Sequence, residues 1–192
     1  MITALIGVNG AGKTTYLRKL HEDRPGALLP DYPVIPVELS AYELLYRIGR
    51  MRSINNPQQR ASELCSVLRI VGGHDQRVAA YSAGNYKKTA LATLLIEKPK
   101  LLYLDEPLET VDLVSSQVIC TIMRRLSAAG TDIFISTQDV RFAATLDQVK
   151  VFKDLCIVAE GDAATVLGDD PLSRFLYLTG TTIPSPGLEW LW

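Results

Sequence analysis

Apolar positions along the chain fall into two patterns that alternate. Short, nearly unbroken apolar runs occur at Ile2–Ile6, Ala27–Leu29 and residues 101–104, 133–136 and 149–152. Runs of this length, bounded by Gly, Pro or charged residues, predict strands buried on both faces. Residues 156–159 predict one more strand, closing a pair with 149–152. Helical spacing of the apolar positions predicts helices over residues 13–22, 85–97, 113–129 and 140–146, the first of them stopped by Pro25 and Gly26. Strand alternating with helix predicts an α/β fold with a mostly parallel sheet covered on both faces. Between Val37 and Ala80 strand signals disappear. The segments AYELLYRIGRM and QQRASELCSVLRIV carry apolar residues at helical spacing only. They predict a helical lobe inserted into the core. The chain then divides into an α/β core (1–36 and 81–162), a lobe (37–80) and a C-terminal tail (163–192). The closing stretch TGTTIPSPGLEWLW reads as turn-rich, with two tryptophans that are exposed or docked.

Composition narrows the class without naming a chemistry. A chain of 192 residues, 47% hydrophobic and 21% charged, suits one folded domain with a real core. Its net charge of −1 gives no field strong enough to draw it to nucleic acid or an anionic membrane. Cys65, Cys120 and Cys156 are far apart and form no CxxC pair. That predicts reduced thiols in a reducing compartment rather than disulfides or a zinc site. No apolar run approaches the roughly 20 residues that cross a bilayer, so any membrane role is expected through a partner. The opening MITALIGVNG lacks a basic segment and a long apolar stretch, and is not expected to be a signal peptide.

The chemistry enters at GVNGAGKT, residues 7–14, which matches G-x-x-x-x-G-K-[ST]. Glycines at positions 7, 10 and 12 let the backbone fold so that its N–H groups point into one cavity. The helix that begins near Lys13 directs its positive end there as well. Lys13 is placed to reach β- and γ-phosphates, Thr14 to ligate Mg²⁺, and Thr15 to bond a nearer phosphate. The second signal is LLYLDE, residues 101–106, where two carboxylates emerge from a buried strand. That is the sheet edge at which α/β proteins bind ligands. Asp105 is expected to hold magnesium, and Glu106 to orient or deprotonate an attacking water.

GVNGAGKTT, YSAGN (81–85), LLYLDEP (101–107) and ISTQD (135–139) stand in the order and rough spacing of ATP-binding cassette proteins. Over nearly its whole length the chain resembles the ATPase subunit of an ABC transporter, in a short and partly degenerate form. The stretch KDLCIVAEGDAATVL resembles the end of a cassette, and FLYLTG resembles cassettes that serve small exporters. The resemblance implies a P-loop NTPase core, with ATP and Mg²⁺ as cofactors and hydrolysis coupled to transport. It implies a head-to-tail homodimer or heterodimer of cassettes. Asn9, Gly10, Ala11, Gly12, Lys13, Thr14 and Thr15 of one subunit would then face Ser82 and Gly84 of the other across the nucleotide. Thr14, Asp105 and Asp31 would hold the metal, Glu106 and Gln138 would be catalytic, and Asp112 would span the interface. The implied partner is an integral-membrane permease, and the implied location is peripheral at the inner face of the cell membrane. No direct contact with nucleic acid is expected.

Five features depart from the family pattern. The six residues before Gly7 leave no place for the aromatic that usually stacks on adenine. The interval from Thr15 to Leu29 is short, so the antiparallel β-subdomain is expected to be reduced or missing. Asp31 stands where the family carries a glutamine, and Gln138 where it carries a histidine; glutamine accepts and donates hydrogen bonds but does not become cationic. Ala83 and Asn85 replace a glycine and a glutamine in the signature. These departures predict weakened hydrolysis and loose nucleobase selectivity with triphosphate binding kept. An alternative is a nucleotide-binding regulatory module with little or no hydrolysis. The group Tyr42, Leu45, Tyr46 and Ile48 has two readings: the lobe's own core, favoured, or part of a permease-docking surface near residues 31–52.

Overall fold

In the computed structural model, residues 1–183 are described. The apolar runs form the strands β1 (Ile2–Ile6), β2 (Ala27–Leu29), β3 (Leu101–Asp105), β4 (Asp132–Thr137), β5 (Gln148–Lys153) and β6 (Cys156–Asp162). They join in one sheet in the order β2-β3-β4-β1-β5-β6. The pairings β2–β3, β3–β4, β4–β1 and β1–β5 are parallel. Strand pairing turns antiparallel only at the β5–β6 hairpin among the described residues. The sheet is that of the expected α/β fold, and the described residues add no antiparallel subdomain to it.

The all-buried pattern of β1 explains why it reads as a continuous apolar run. Ile2, Ala4 and Ile6 point into the larger core, whereas Leu5 points to the other face. On that other face lies helix α1 (Lys13–Asp23), whose Leu17 packs with Leu5, Tyr103 and Phe152, all nearly inaccessible to solvent. Tyr103 is polar only at its tip. Its hydroxyl reaches the carbonyls of Leu20 (3.1 Å) and Arg24 (2.9 Å), satisfying the last turn of α1. The larger core receives α4 (Ala83–Leu95) and α5 (Leu113–Ala128) through Leu91, Leu95, Ile119 and Met123.

The lobe is helical, as its periodicity predicts: α2 (Ala41–Met51), α3 (Pro57–Val67) and a single 3₁₀ turn at Val78–Ala80. Ser40 and Glu43 close a capping box on α2, each side chain bonding the other's backbone N–H. Leu45 is fully buried, while Tyr42, Tyr46 and Ile48 are half-buried against the core. That arrangement agrees with the favoured reading of the group as the lobe's own packing.

Several boundaries differ from the sequence expectation. Helix α4 begins at Ala83 instead of residue 85, because Ser82 caps it by accepting from the Asn85 N–H. Helix α6 (Val140–Ala143) is a single turn and stops short of residue 146, and β6 runs on to Asp162. The segment read as a tail holds two helices, α7 (Ala163–Leu167) and α8 (Pro171–Thr179). Both start on an aspartate cap, Asp162 bonding Thr165 N and Asp170 bonding Ser173 N. Trp190 and Trp192 lie outside the described residues. No described helix is long and apolar enough to cross a membrane. Cys65 and Cys120 are buried free thiols and Cys156 an exposed one.

Candidate active site

The loop between β1 and α1 opens into a cavity of about 310 Å³. Its lining combines Asn9 to Thr15 with Asp31, Glu106 and Gln138, so residues separated by more than a hundred positions meet at one edge of the sheet. The sheet order produces this meeting: β1 carries the loop, Gln138 follows the neighbouring β4, and Asp105 and Glu106 stand at and just beyond the end of β3. Gly12, the residue before α1, sits at φ 104, a conformation that L side chains avoid. That turn brings the first N–H groups of the helix round to the cavity.

Lys13 is 7% exposed. Its Nζ donates to Gly7 O at 2.7 Å and stands 3.9 Å from Glu106 Oε1. Burial pushes the ammonium below the ordinary lysine range, and the carboxylates of Glu106 and Asp105 pull it partly back. Glu106 is shifted in the opposite sense. Burial raises its carboxyl above the ordinary range, Lys13 opposes this, and Asp105 and Glu109 add to it. Its backbone is held at φ 45, and its N–H bonds Ser136 Oγ at 3.0 Å.

Thr14 Oγ1 donates to Asp105 Oδ1 at 3.1 Å, and Ser136 Oγ donates to the same oxygen. This spacing tests the site against a magnesium ion. Adjacent ligands of an octahedral Mg²⁺ at about 2.1 Å stand about 3 Å apart, so the hydroxyl and carboxylate fit a shared hard cation. No cluster of three His, Cys, Asp or Glu side chains suited to a metal occurs among the described residues. A site of this kind would take its remaining ligands from phosphates and water.

The other expected site residues are placed as follows. Asp31 lines the cavity, but its Oδ1 accepts from Lys87 Nζ at 2.9 Å, and its carbonyl accepts from the same ammonium at 2.9 Å. Its charge is therefore already paired. Ser82 and Gly84 are not among the residues lining this cavity. Ser82 is exposed, and a Cβ on Gly84 would lie 2.6 Å from Thr110 O, so this glycine is fixed by close backbone approach. Asp112 caps α5, accepting from Ser115 N at 2.9 Å, and lies 3.9 Å from Lys88.

Sequence reasoning missed Ser136, Lys87 and Leu155. Ser136 had a signal, a hydroxyl closing an otherwise apolar strand. Lys87 had none, since its partner lies 56 residues away. Leu155 lines the cavity from the β5–β6 turn.

Known proteins resemble this chain in sequence and in fold. A family model described as ABC transporter matches residues 1–109, more than half of the chain. The cobalt import ATP-binding protein CbiO of Rhodobacter capsulatus is 36% identical over 111 residues, spanning 57% of this chain and 40% of that protein. The putative ABC transporter ATP-binding protein VNG_2317G of Halobacterium salinarum is 29% identical over 192 residues, spanning 86% of this chain and 83% of its own. The chain thus spans less than half of the first relative and most of the second. A solved structure described as the ATP binding subunit of an ABC transporter matches with a TM-score of 0.82 at 22% identity, covering 93% of this chain and 88% of that one; at this identity the likeness concerns the fold. The chain belongs to the ABC transporter family and is built as the family's ATP-binding subunits are.

Proposed function

We propose that this protein binds ATP with Mg²⁺ in the cavity above β1 and hydrolyses it to drive transport through a membrane permease. The carrying observation is that Lys13, Thr14 and Glu106 line one cavity at a helix start, with the buried Asp105 bonded to Thr14 beside it. On this reading Lys13 exchanges its contacts with the Gly7 carbonyl and Glu106 for phosphate oxygens. Thr14 and Asp105 hold the metal, which would neutralise phosphate charge and orient the triphosphate. Glu106 accepts the proton of the attacking water, and its carboxylate is released from Lys13 once phosphate occupies that ammonium. Gln138, exposed at the cavity rim, supplies a neutral hydrogen bond near the γ-phosphate.

A second subunit completes the reading. Ser82 and Gly84 lie outside the chain's own cavity, which suits contact with the nucleotide of a partner cassette in a head-to-tail dimer, with Asp112 at the junction. The neighbouring surface that would meet a permease includes Tyr32 and Val34, 86% and 94% exposed. Relatives such as the cobalt importer subunit lend support to such a partner without fixing the cargo.

The test uses two variants. Lys13→Ala is expected to abolish Mg-ATP binding in a titration calorimeter. Glu106→Gln is expected to bind Mg-ATP normally and lose steady-state hydrolysis. Unchanged affinity in the lysine variant would overturn the site assignment. Turnover in Glu106→Gln equal to that of a hydrolysing wild type would remove Glu106 as the base, and absence of turnover in the wild type itself would leave the alternative, a nucleotide-binding module with little or no hydrolysis.

A further inference from the structure

We infer that Leu155 is the surface against which the nucleobase rests, and that this side chain sets nucleotide affinity without distinguishing adenine from guanine. The inference rests on the triphosphate reading above and deepens it.

The direction of the bound nucleotide follows from the sheet order. Glu106 and Gln138, the groups suited to a terminal phosphate, come from β3 and β4 on one flank of β1. Lys13 Nζ sits on the same side, 3.9 Å from Glu106. Phosphates bound along the loop therefore end toward β3, and the nucleoside leaves toward the opposite flank. That flank is β5 and β6, with β6 at the sheet edge. Leu155 stands in the turn joining them.

The turn is fastened to the phosphate loop. Leu155 N donates to Ala11 O at 3.1 Å. A Cβ on Gly12 would lie 3.1 Å from Leu155 Cα and 3.2 Å from its Cδ2, so the leucine lies directly against the residue that starts α1. Both central residues of the turn, Asp154 (φ 47) and Leu155 (φ 66), are left-handed. Such two-residue turns favour Asn and Gly, and a leucine there costs on the order of 1 kcal/mol in backbone energy. Yet this leucine is 71% exposed and lines the cavity. Core packing does not account for it; an apolar partner entering the cavity does. Tyr32, the other large exposed side chain on the rim, follows β2 on the terminal-phosphate flank and is on the wrong side for the base. A leucine offers a ring face dispersion and burial but no hydrogen bond, so it treats purines alike.

The experiment compares wild type with Leu155→Asn, which suits the left-handed turn and removes the apolar surface. Binding of Mg-ATP, Mg-GTP and inorganic magnesium tripolyphosphate is measured for both, with the melting temperature as a check on folding. The expected result is a loss of about fivefold for ATP and for GTP, with tripolyphosphate unchanged. Leu155→Trp is expected to tighten both nucleotides and again leave tripolyphosphate alone. Loss of tripolyphosphate in step with ATP would overturn the inference, because the leucine would then act through the loop. So would unaltered ATP affinity in Leu155→Asn. If wild type binds neither ATP nor tripolyphosphate, the triphosphate reading itself falls, an outcome distinct from either of these.

Discussion

Asp31→Asn separates two roles that one carboxylate in a phosphate cavity can have. In the structure Asp31 Oδ1 lies 2.9 Å from Lys87 Nζ, and the Asp31 carbonyl binds the same ammonium. The lysine side chain is 7% exposed and the aspartate 28%. At an effective dielectric of 20 the gross attraction at this distance is about 6 kcal/mol, most of it offset by the desolvation of the two ions. Removing one charge of a fully buried pair costs about 3–5 kcal/mol, because the other is left unpaired. Here the aspartate still reaches water, and an asparagine oxygen and the carbonyl still accept from Lys87, so we expect about 2 kcal/mol. For a domain of this size that is a fall of about 4–8 °C in melting temperature. Urea denaturation should show a lower midpoint with unchanged slope. Adding Lys87→Met should recover part of the loss, since the stranded ammonium is then gone. A melting temperature within about 1 °C of wild type would refute the pairing energetics. If instead Asp31→Asn melted normally but lost Mg-ATP affinity as severely as Asp105→Asn, Asp31 would be a metal ligand after all.

Three further outcomes follow from the same geometry. Because burial raises the Glu106 carboxyl above its ordinary range, wild-type hydrolysis should fall on the acid side with a midpoint above that range, and a pH profile of kcat/KM checks it. The same raised value makes the free fold lose stability as pH rises through that window, since the native state alone keeps the proton there; denaturant midpoints across acid pH would show the trend. Gly84→Ala should destabilise by about 1–3 kcal/mol, since its methyl would meet Thr110 O at 2.6 Å in a loop already at φ 65. A melting curve that superposes on wild type would mean that this loop yields freely.

Legibility in the sequence followed the range of the interaction that fixes each feature. The strands were readable because a sheet buried on both faces demands unbroken apolar runs, as β1 and β3 show. The phosphate loop was readable because its chemistry is confined to eight consecutive residues. Helix starts were less so: Ser82 is readable both as a helix cap and as one residue of a motif, and its capping of α4 sets the boundary at Ala83 rather than 85. The aspartate caps of α7 and α8 were present in the sequence, but helices of such length carry little periodicity to read. Pairs such as Asp31 with Lys87, or Leu155 with Gly12, join distant segments, and no local pattern encodes them.

Two of the four residues that depart from the family pattern, Ala83 and Asn85, do not line the cavity, which changes what they mean. Asn85 joins the lobe to α4: its side chain donates to Val71 O at 3.0 Å and accepts from Val71 N at 3.4 Å. Ala83 is exposed and lines a neighbouring cavity with Tyr86 and Lys87. Asp31 is charge-paired across to α4 by that same Lys87. Lys88, one residue on, is buried, bonds Arg69 O at 2.7 Å and faces Asp112 at the start of α5. Thus α4 grips the lobe, the loop after β2 and the start of α5 through Asn85, Lys87 and Lys88 in its first turns. Gln138 also lines the cavity, where on the proposed reading it would face the γ-phosphate. Lys13 is the one cation lining the described cavity, against Asp31, Glu106 and Glu109. Pairing Asp31 with Lys87 removes one of those negative charges from the balance a triphosphate would meet. Substitutions at the lobe contacts should therefore act on how α4 holds the lobe, whereas those at Lys13, Thr14 and Asp105 should act on the triphosphate binding proposed above.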